Sequence, residues 1–514
     1  MTTGADVLVV GAGSAGATLA ARLSEDPSRT VELVEAGPDY TSAGTPEAIR
    51  ATSMSGSLDV GALAEHYWLG VRARRTGNQP LEPYWAGKGV GGSSAINGLV
   101  AIRPPPQDFD EWASSGCQGW SWDEVLPHFV ALEDDELFGD EPAHGRGGPV
   151  PIARVPPEHW SALDLAFRDA LVARGVAWTP DMNAPDSAGC GLYPFNARNR
   201  RRVSTNDAYL EPARNRPNLT VRGRTLVDRL VFDGSRAVGA RVVGHDGAED
   251  LLAGEVVLCG GAVGSAAVLL RSGIGPADHL RALGIGVRAD LPVGSGVQDH
   301  AGLALHFPLR PDQRQGVHRP VCAARATTGT QGCPSWPHDT FLSVVGPYGP
   351  DDQAGGALAW LARTWSRGTL RLVCSDPTVD PVLDLRLLAD ERDRVRFRRL
   401  ARDLCALLHD APLAGVLAAT PRARDGTPLT DIERMTDAAL DRWALGVVRD
   451  VAHLSSSCPM GAPGDPHAVV DPDGRVLGAE GLRVVDASVF PSVPGANTHL
   501  AVVMAAERQA ASYP

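Results

Sequence analysis

Residues 5–35, ADVLVVGAGSAGATLAARLSEDPSRTVELVE, read as one complete nucleotide-binding unit and decide the fold. Val7 to Val10 is a short β-branched, apolar run of the kind that fills a buried parallel strand. Gly11, Gly13 and Gly16 follow at G-x-G-x-x-G spacing, with Ser14 and Ala15 inside the turn. The first glycine turns the chain, the second lets backbone approach a pyrophosphate, and the third lets a helix pack closely on the strand. Ala17 to Leu23 continues as that helix, so its N-terminus, with unpaired N–H groups and a positive dipole end, faces the phosphates. Thr30 to Val34 is the second strand, and Glu35, followed by Ala36, stands where a carboxylate accepts hydrogen bonds from ribose hydroxyls. Strand, glycines, helix, strand and acid in this order predict a Rossmann-type dinucleotide site. The motif does not separate NAD from FAD, but the carboxylate disfavours NADP, whose ribose phosphate it would repel.

The chain has 514 residues and a net charge of -13. That length calls for two domains, or one elaborated domain with a second grafted into it. The acidic balance argues against a nucleic-acid partner. Lys88 is the only lysine, and arginine carries the remaining positive charge. The eight cysteines show no C-x-x-C pairing or Cys/His metal spacing, so free thiols are expected and no metal site. The first apolar run is the nucleotide-binding strand itself, no apolar stretch is long enough to span a bilayer, and a cytoplasmic location is expected.

A second glycine-dense segment, GKGVGGSSAINGLV (87–100), adds hydroxyl and amide donors that a bare turn does not need. With the opening unit and the following IRPPPQDFDEWA, it resembles the N-terminal signature of the glucose–methanol–choline (GMC) family of FAD-dependent oxidoreductases, choline-dehydrogenase-like branch. The resemblance implies that Gly91, Gly92, Ser94, Asn97, Gly98, Leu99 and Val100 run past the diphosphate and flavin of FAD. Some members carry a flavin-bonded histidine in this segment. The matching position is Ile96, which implies non-covalent FAD.

Further along, Trp112, Trp120, Trp122 and Phe129 read as core, and the polar loop 140–148 as a lid or an oligomer contact. The segment 216–243 alternates apolar and polar residues around a turn at Asp233-Gly234, which predicts a hairpin or meander. Glu255 to Leu258 is a strand, and GGAVGSAAVLLRSGIGP (260–276) resembles the second family signature, with Ala266 where proline or serine is usual. The resemblance places Val227 against adenine and Ala262 at the cofactor. His300, in LPVGSGVQDH, reads as structural. Residues 366–388 suit antiparallel strands and 390–409 a helix with a leucine face. The expected fold is therefore α/β plus α+β: a discontinuous Rossmann-type FAD domain (1–155, 195–303, 451–514) and a substrate domain on an antiparallel sheet (156–194, 304–450).

The C-terminal segments VAHLSSSCPMG (451–461) and GLRVVDASVFPSVPGANTHLAVVMAAE (481–507) carry the chemistry. By resemblance, His453 falls at the family's catalytic histidine and His499 at a second catalytic position that is histidine or asparagine in different members. Asp486 and Ala487 contact FAD, and Asn497 and Thr498 lie beside the flavin. Ser456-Ser457 replaces the usual Gly-Thr, so a different local turn is expected there. An imidazole can accept a hydroxyl proton while the cofactor takes a hydride, and a second donor can fix the alkoxide oxygen. The implied activity is oxidation of a small-molecule alcohol, on a sugar, cyclitol or other polyol, with oxygen, a quinone or another carrier as electron acceptor. Three rival readings are a non-redox hydroxynitrile lyase on the same scaffold, a flavin-binding scaffold without turnover, and an NAD-dependent Rossmann dehydrogenase.

Overall fold

A computed structural model describes residues 4–51, 61, 63–314, 320–329, 337–348 and 353–513. Its organising layer is a parallel sheet in the order Leu219–Arg222, Val31–Val34, Ala5–Val10, Gly247–Leu258, Leu482–Val484. Leu8 and Val9 are wholly buried, as β-branched and apolar residues in a doubly covered sheet should be. The helix Ser14–Leu23 follows the first strand. A Cβ on Gly16 would lie 1.8 Å from the Gly11 carbonyl oxygen, so only glycine lets helix and strand approach this closely. The last helix, Thr498–Ala511, packs against the first, and Glu507 receives the Arg22 guanidinium (Nε–Oε2 2.9 Å) and the Tyr209 hydroxyl (2.7 Å). The two ends of the sequence thus meet on one face of the sheet.

The expected hairpin forms from Leu226–Asp233 and Arg236–Gly244, with Asp233 opposite Arg236 across the turn. Its second strand pairs with the first half of Gly247–Leu258, a strand longer than the four residues predicted because it serves two neighbours along its length.

A second sheet of seven strands runs in the order Arg422–Ala423, Gly302–Pro308, Ala354–Leu361, Thr340–Tyr348, Cys322–Ala326, Gly189–Leu192, Trp178–Asp181. It is antiparallel except for the last pair. The helix Glu391–His409, capped by the Asp390 carboxylate, lays Leu400, Leu404, Leu407 and Leu408 into the core. Residues 366–388 form antiparallel strands as expected, but outside the seven-stranded sheet. Gly368–Arg371 and Val382–Asp384 pair with each other, but they join a separate five-stranded sheet with Ser295–Val297, Arg72–Arg74 and Glu82–Pro83. Gly294 permits this, because a Cβ there would meet the Leu370 carbonyl oxygen at 2.4 Å. This third sheet stitches together segments that the sequence assigned to opposite sides of the 303/304 boundary.

Trp112, Trp120, Trp122 and Phe129 are core, as read, and Trp112 stacks on Phe490 at 5.0 Å. The loop 140–148 is held by a buried ion network. His144 lies between Glu133 (Nδ1–Oε2 3.2 Å) and Asp181 (Nε2–Oδ2 2.9 Å), while Arg103 pairs with Glu133 at 2.6 Å and Arg154 with Asp135 at 2.7 Å. Two guanidiniums and an imidazolium balance three carboxylates, which is what makes the burial tolerable. Burial opposes charge on His144, but its hydrogen bonds to Asp181 and Glu133 outweigh that, and its pKa is pushed up to about 9. A pKa raised above the unfolded value means that the stabilisation is complete below about pH 6.5 and is lost as pH rises through 9. His144→Gln should therefore lower the melting temperature by several degrees at pH 6 and flatten its decline between pH 6.5 and 9. Melting curves that parallel the wild type across that range would refute the assignment.

Candidate active site

One continuous cavity of about 550 Å³ opens at the carboxyl ends of the parallel strands, the place where open α/β sheets bind ligands. At one end it is lined by Gly11, Gly13, Ser14, Ala15, Glu35, Ala36, Val227 and Ala262, and at the other by Asn97, Gly98, Val100, His453, Asn497, Thr498 and His499. Gly92, Ser94, Asp486 and Ala487 also line it. Gly16, Gly91 and Leu99 are not on its surface. Gly16 serves the helix–strand contact, and Gly91 is spent on a backbone bond to the Ala12 carbonyl (2.8 Å). Leu99 is buried in an apolar cluster with φ +66°, its N–H held by the Asn97 side chain at 2.9 Å.

The two glycine loops close on one another. A Cβ on Gly92 would lie 2.7 Å from Gly13 Cα, so the second loop needs glycine to approach the first. Glu35 fastens both: its carboxylate accepts the N–H groups of Ala12 (2.8 Å), Gly37 (2.8 Å) and Gly89 (2.9 Å). Those three bonds leave little acceptor capacity for a ribose hydroxyl, so Glu35 organises the cradle as well as lining it. Three helices begin at the cavity, Ser14–Leu23, Gly261–Arg271 and Thr498–Ala511; the first amide of the second is taken by the Asp486 carboxylate (2.9 Å), while the first and last have no side-chain cap. Uncapped N-termini with their dipoles aimed into a cavity are suited to a polyanionic ligand. A diphosphate-bearing dinucleotide fits this donor set and this glycine-lined approach. Lys88 lies off the wall, its ammonium 4.7 Å from the centre of the Trp68 ring.

At the far end the two histidines have different company. His453 is half-buried on the cavity wall; its Nε2 faces the Asn497 amide nitrogen at 3.1 Å and its Nδ1 faces His300 Nδ1 at 2.9 Å. The Nδ1 atom of His499 instead meets Ser14 Oγ at 3.1 Å, tying the starts of the first and last helices together. Both rings line the same cavity, but the side chain placed directly on His453 is Asn497, two residues earlier than the position the family resemblance singled out. Burial pushes His453 down to about 3 and His499 to about 4, so both are neutral bases at ordinary pH. The wall beside His453 is aromatic: Trp360 stands 5.7 Å from it edge-on, stacks with Phe341 at 4.7 Å, and Tyr193 completes the group.

The histidine loop is clamped from behind by Asp299. Its carboxylate accepts the backbone N–H of His453 (3.1 Å) and of His300 (2.7 Å) and the Tyr84 hydroxyl (2.7 Å), while Tyr84 in turn accepts the Leu454 N–H (3.0 Å). Burial and the nearby Asp450 raise the Asp299 pKa. Asp108 holds the opposite loop by accepting the Gly495 N–H at 2.6 Å. Sequence reasoning missed Tyr84, Asp299, Asp108 and Trp360 as parts of this site. Their partners lie hundreds of positions away, and only the Gln298-Asp299-His300 motif gave a local signal.

The family model described as GMC oxidoreductase matches residues 5–302 with its N-terminal part and 364–506 with its C-terminal part. The chain belongs to the GMC oxidoreductase family. It is 36% identical to 5-(hydroxymethyl)furfural oxidase of Methylovorus sp. (strain MP688), over 98% of this chain and 97% of that protein. It is 35% identical to the mitochondrial choline dehydrogenase of Homo sapiens, over 98% and 88% respectively. The crystal structure of pyridoxine 4-oxidase from Mesorbium loti superposes with a TM-score of 0.88 at 33% identity, covering 99% of each chain. Family members bind FAD, and this protein is an FAD-dependent oxidoreductase acting on alcohols. No helix among the described residues is long and apolar enough to cross a membrane.

One expectation about the GMC histidine loop is revised. Ser456-Ser457 pointed to an altered turn, but Ser456 adopts φ +66°, the left-handed conformation that a glycine would supply, with its hydroxyl buried and unpartnered. The serine bears the strain of that conformation. Ser456→Gly should therefore stabilise the protein by about 1 kcal/mol, read as a raised midpoint in denaturant unfolding with the flavin spectrum unchanged. A lowered midpoint would show that the serine is not strained.

Proposed function

We propose that this oxidoreductase oxidises a hydroxymethyl group carried on a flat, uncharged ring, with His453 Nε2 taking the hydroxyl proton. The observation that supports this most is the placement of a neutral imidazole between the Asn497 amide and an aromatic wall. The polyol substrates anticipated from the sequence would leave many hydroxyls against Trp360, Tyr193, Leu358 and Val100, whose surfaces offer them little hydrogen bonding. A planar ring gains by stacking there. Two relatives, named for oxidising 5-(hydroxymethyl)furfural and pyridoxine, act on ring-borne alcohols in line with this choice.

The protein's part in the reaction follows from its residues. The Asn497 amide donates toward His453 Nε2, and a substrate hydroxyl entering between them can give its proton to Nε2 while the amide steadies the developing alkoxide. Trp360 and Tyr193 orient the ring and keep water out. His499, through its bond to Ser14, fixes the start of the last helix at the cofactor cradle. Bound FAD supplies the hydride acceptor. Ile96, on the cavity wall, offers no nucleophile for a covalent flavin link, so the cofactor is held without one. A hydroxynitrile lyase would need the same base but no hydride transfer, and flavin bleaching separates the two.

Under anaerobic conditions His453→Ala should keep its FAD yet reduce it about 10²–10⁴-fold more slowly with 5-(hydroxymethyl)furfural or benzyl alcohol. Wild-type reduction should hold its rate well below pH 6.5, since the base stays neutral there. Bleaching by the variant at the wild-type rate, or by glucose and not by the ring alcohols, would contradict the proposal. Separately, acid precipitation should release yellow flavin into the supernatant; colour retained in the denatured pellet would show a covalent bond.

A further inference from the structure

His300, read from the sequence as structural, sits in a chain of hydrogen bonds whose direction is forced. Its Nε2 lies 3.0 Å from the carbonyl oxygen of Pro494. A carbonyl only accepts, so Nε2 must carry the proton. The ring is completely buried, and both its burial and the neighbouring His453 hold its pKa well below the ordinary value, so it is neutral and its Nδ1 is bare. That bare nitrogen faces His453 Nδ1 at 2.9 Å, and the contact is a hydrogen bond only if His453 Nδ1 bears the hydrogen. A neutral His453 then has no proton left for Nε2, the atom that meets the Asn497 amide nitrogen at 3.1 Å and faces the cavity. With Nε2 bare, the contact to Asn497 is made with the amide N–H as donor. Proton positions therefore run without a break from Pro494 through His300 and His453 to Asn497.

We propose that His300 is a positioning residue that locks His453 in the tautomer with Nδ1 protonated and Nε2 free to receive a proton. This rests on the reading of His453 as the base. When Nε2 takes the substrate's hydroxyl proton, the new imidazolium keeps its Nδ1–H directed at the bare nitrogen of His300, so the positive charge already has an acceptor. Trp360 holds His300 from the other side, its ring 4.4 Å away, so the same side chain that walls the substrate end also fixes the relay. The Asp299 carboxylate serves the backbone of both histidines and is bonded to Tyr84, leaving the imidazoles to each other. Without His300, His453 would be free to place its single hydrogen on Nε2, against the amide hydrogens of Asn497, and would then be no base at all.

Two substitutions and a spectrum test this. Gln at position 300 can accept from His453 Nδ1 with its carbonyl and donate to Pro494 with its amide, preserving the direction of the chain; Ala can do neither. In protein labelled with ¹⁵N at histidine, the wild type should show His453 with a protonated Nδ1 and a bare Nε2, a pattern assigned by its loss in His453→Asn. His300→Ala should lose that bias, keep FAD, and slow flavin reduction by about 100-fold or more at nearly unchanged KM. His300→Gln should restore the tautomer and most of the rate. A wild-type spectrum with the hydrogen on Nε2 would overturn the proposal, even if the Ala variant failed to fold. So would a His300→Ala protein with unchanged tautomer or unchanged rate. Failure of the base assignment itself is separable, because it appears as undiminished flavin reduction in His453→Ala, whereas the ring-nitrogen spectrum reads the tautomer whether or not His453 takes a proton.

Discussion

The site depends on one buried carboxylate. Asp299 gathers the backbone N–H groups of His300 and His453 and the hydroxyl of Tyr84 onto two oxygens, and it joins segments more than 150 positions apart. Ala452, next to the histidine, is forced to φ +60°, a conformation that a non-glycine residue enters at a cost of about 1–2 kcal/mol. Strain of that size persists only where the surroundings over-determine the backbone. The Asp299 clamp, the pairing of Gln298 with Ser455 (N–O 3.1 and 3.0 Å), and the Tyr84 bridge to Leu454 do so here. The histidine ring is thereby presented from a backbone that cannot relax away from the cavity.

A second constraint sits at the other end of the same cavity. Glu35 binds three backbone amides, one from each glycine loop and that of Gly37, and Gly92 faces Gly13 across a gap that leaves no room for a Cβ on Gly92. The cradle and the histidine loop are therefore not independent modules. The last helix starts beside His453 with Asn497, touches the cradle through His499 and Ser14, and ends packed along the first helix. A shift in that helix would move both the amide that faces His453 and the dipole that faces the glycine cradle.

Much of this was legible in the amino-acid order because it is local. The opening strand–turn–helix, the hairpin turning at Asp233-Gly234 and the leucine face of 391–409 each follow from period, turn chemistry or capping within about twenty residues. The glycine roles were legible for the same reason, and Gly16 packs as its spacing required. What was hidden is long-range. The five-stranded sheet joins residues near 72, 295 and 370, and no local pattern encodes a partner so far away. Asn497 and His499 show the same limit at finer scale. A two-residue offset at the start of a helix changes which side chain points at His453, and the answer depends on how the helix is set by Ser14 and by Asp108 at Gly495. Ser456 is the converse case: a departure from the usual glycine suggested a new turn, yet the surroundings impose the left-handed backbone on serine.

The central claim is that a neutral, desolvated imidazole and the glycine cradle address one and the same bound cofactor. A crystal structure of the FAD-loaded enzyme tests it most directly. The account predicts the diphosphate against the uncapped starts of the first and last helices, and the reactive edge of the isoalloxazine ring facing His453 Nε2 and Asn497. A flavin whose ring lies away from that pair, with another protic side chain nearest its reactive edge, would contradict it.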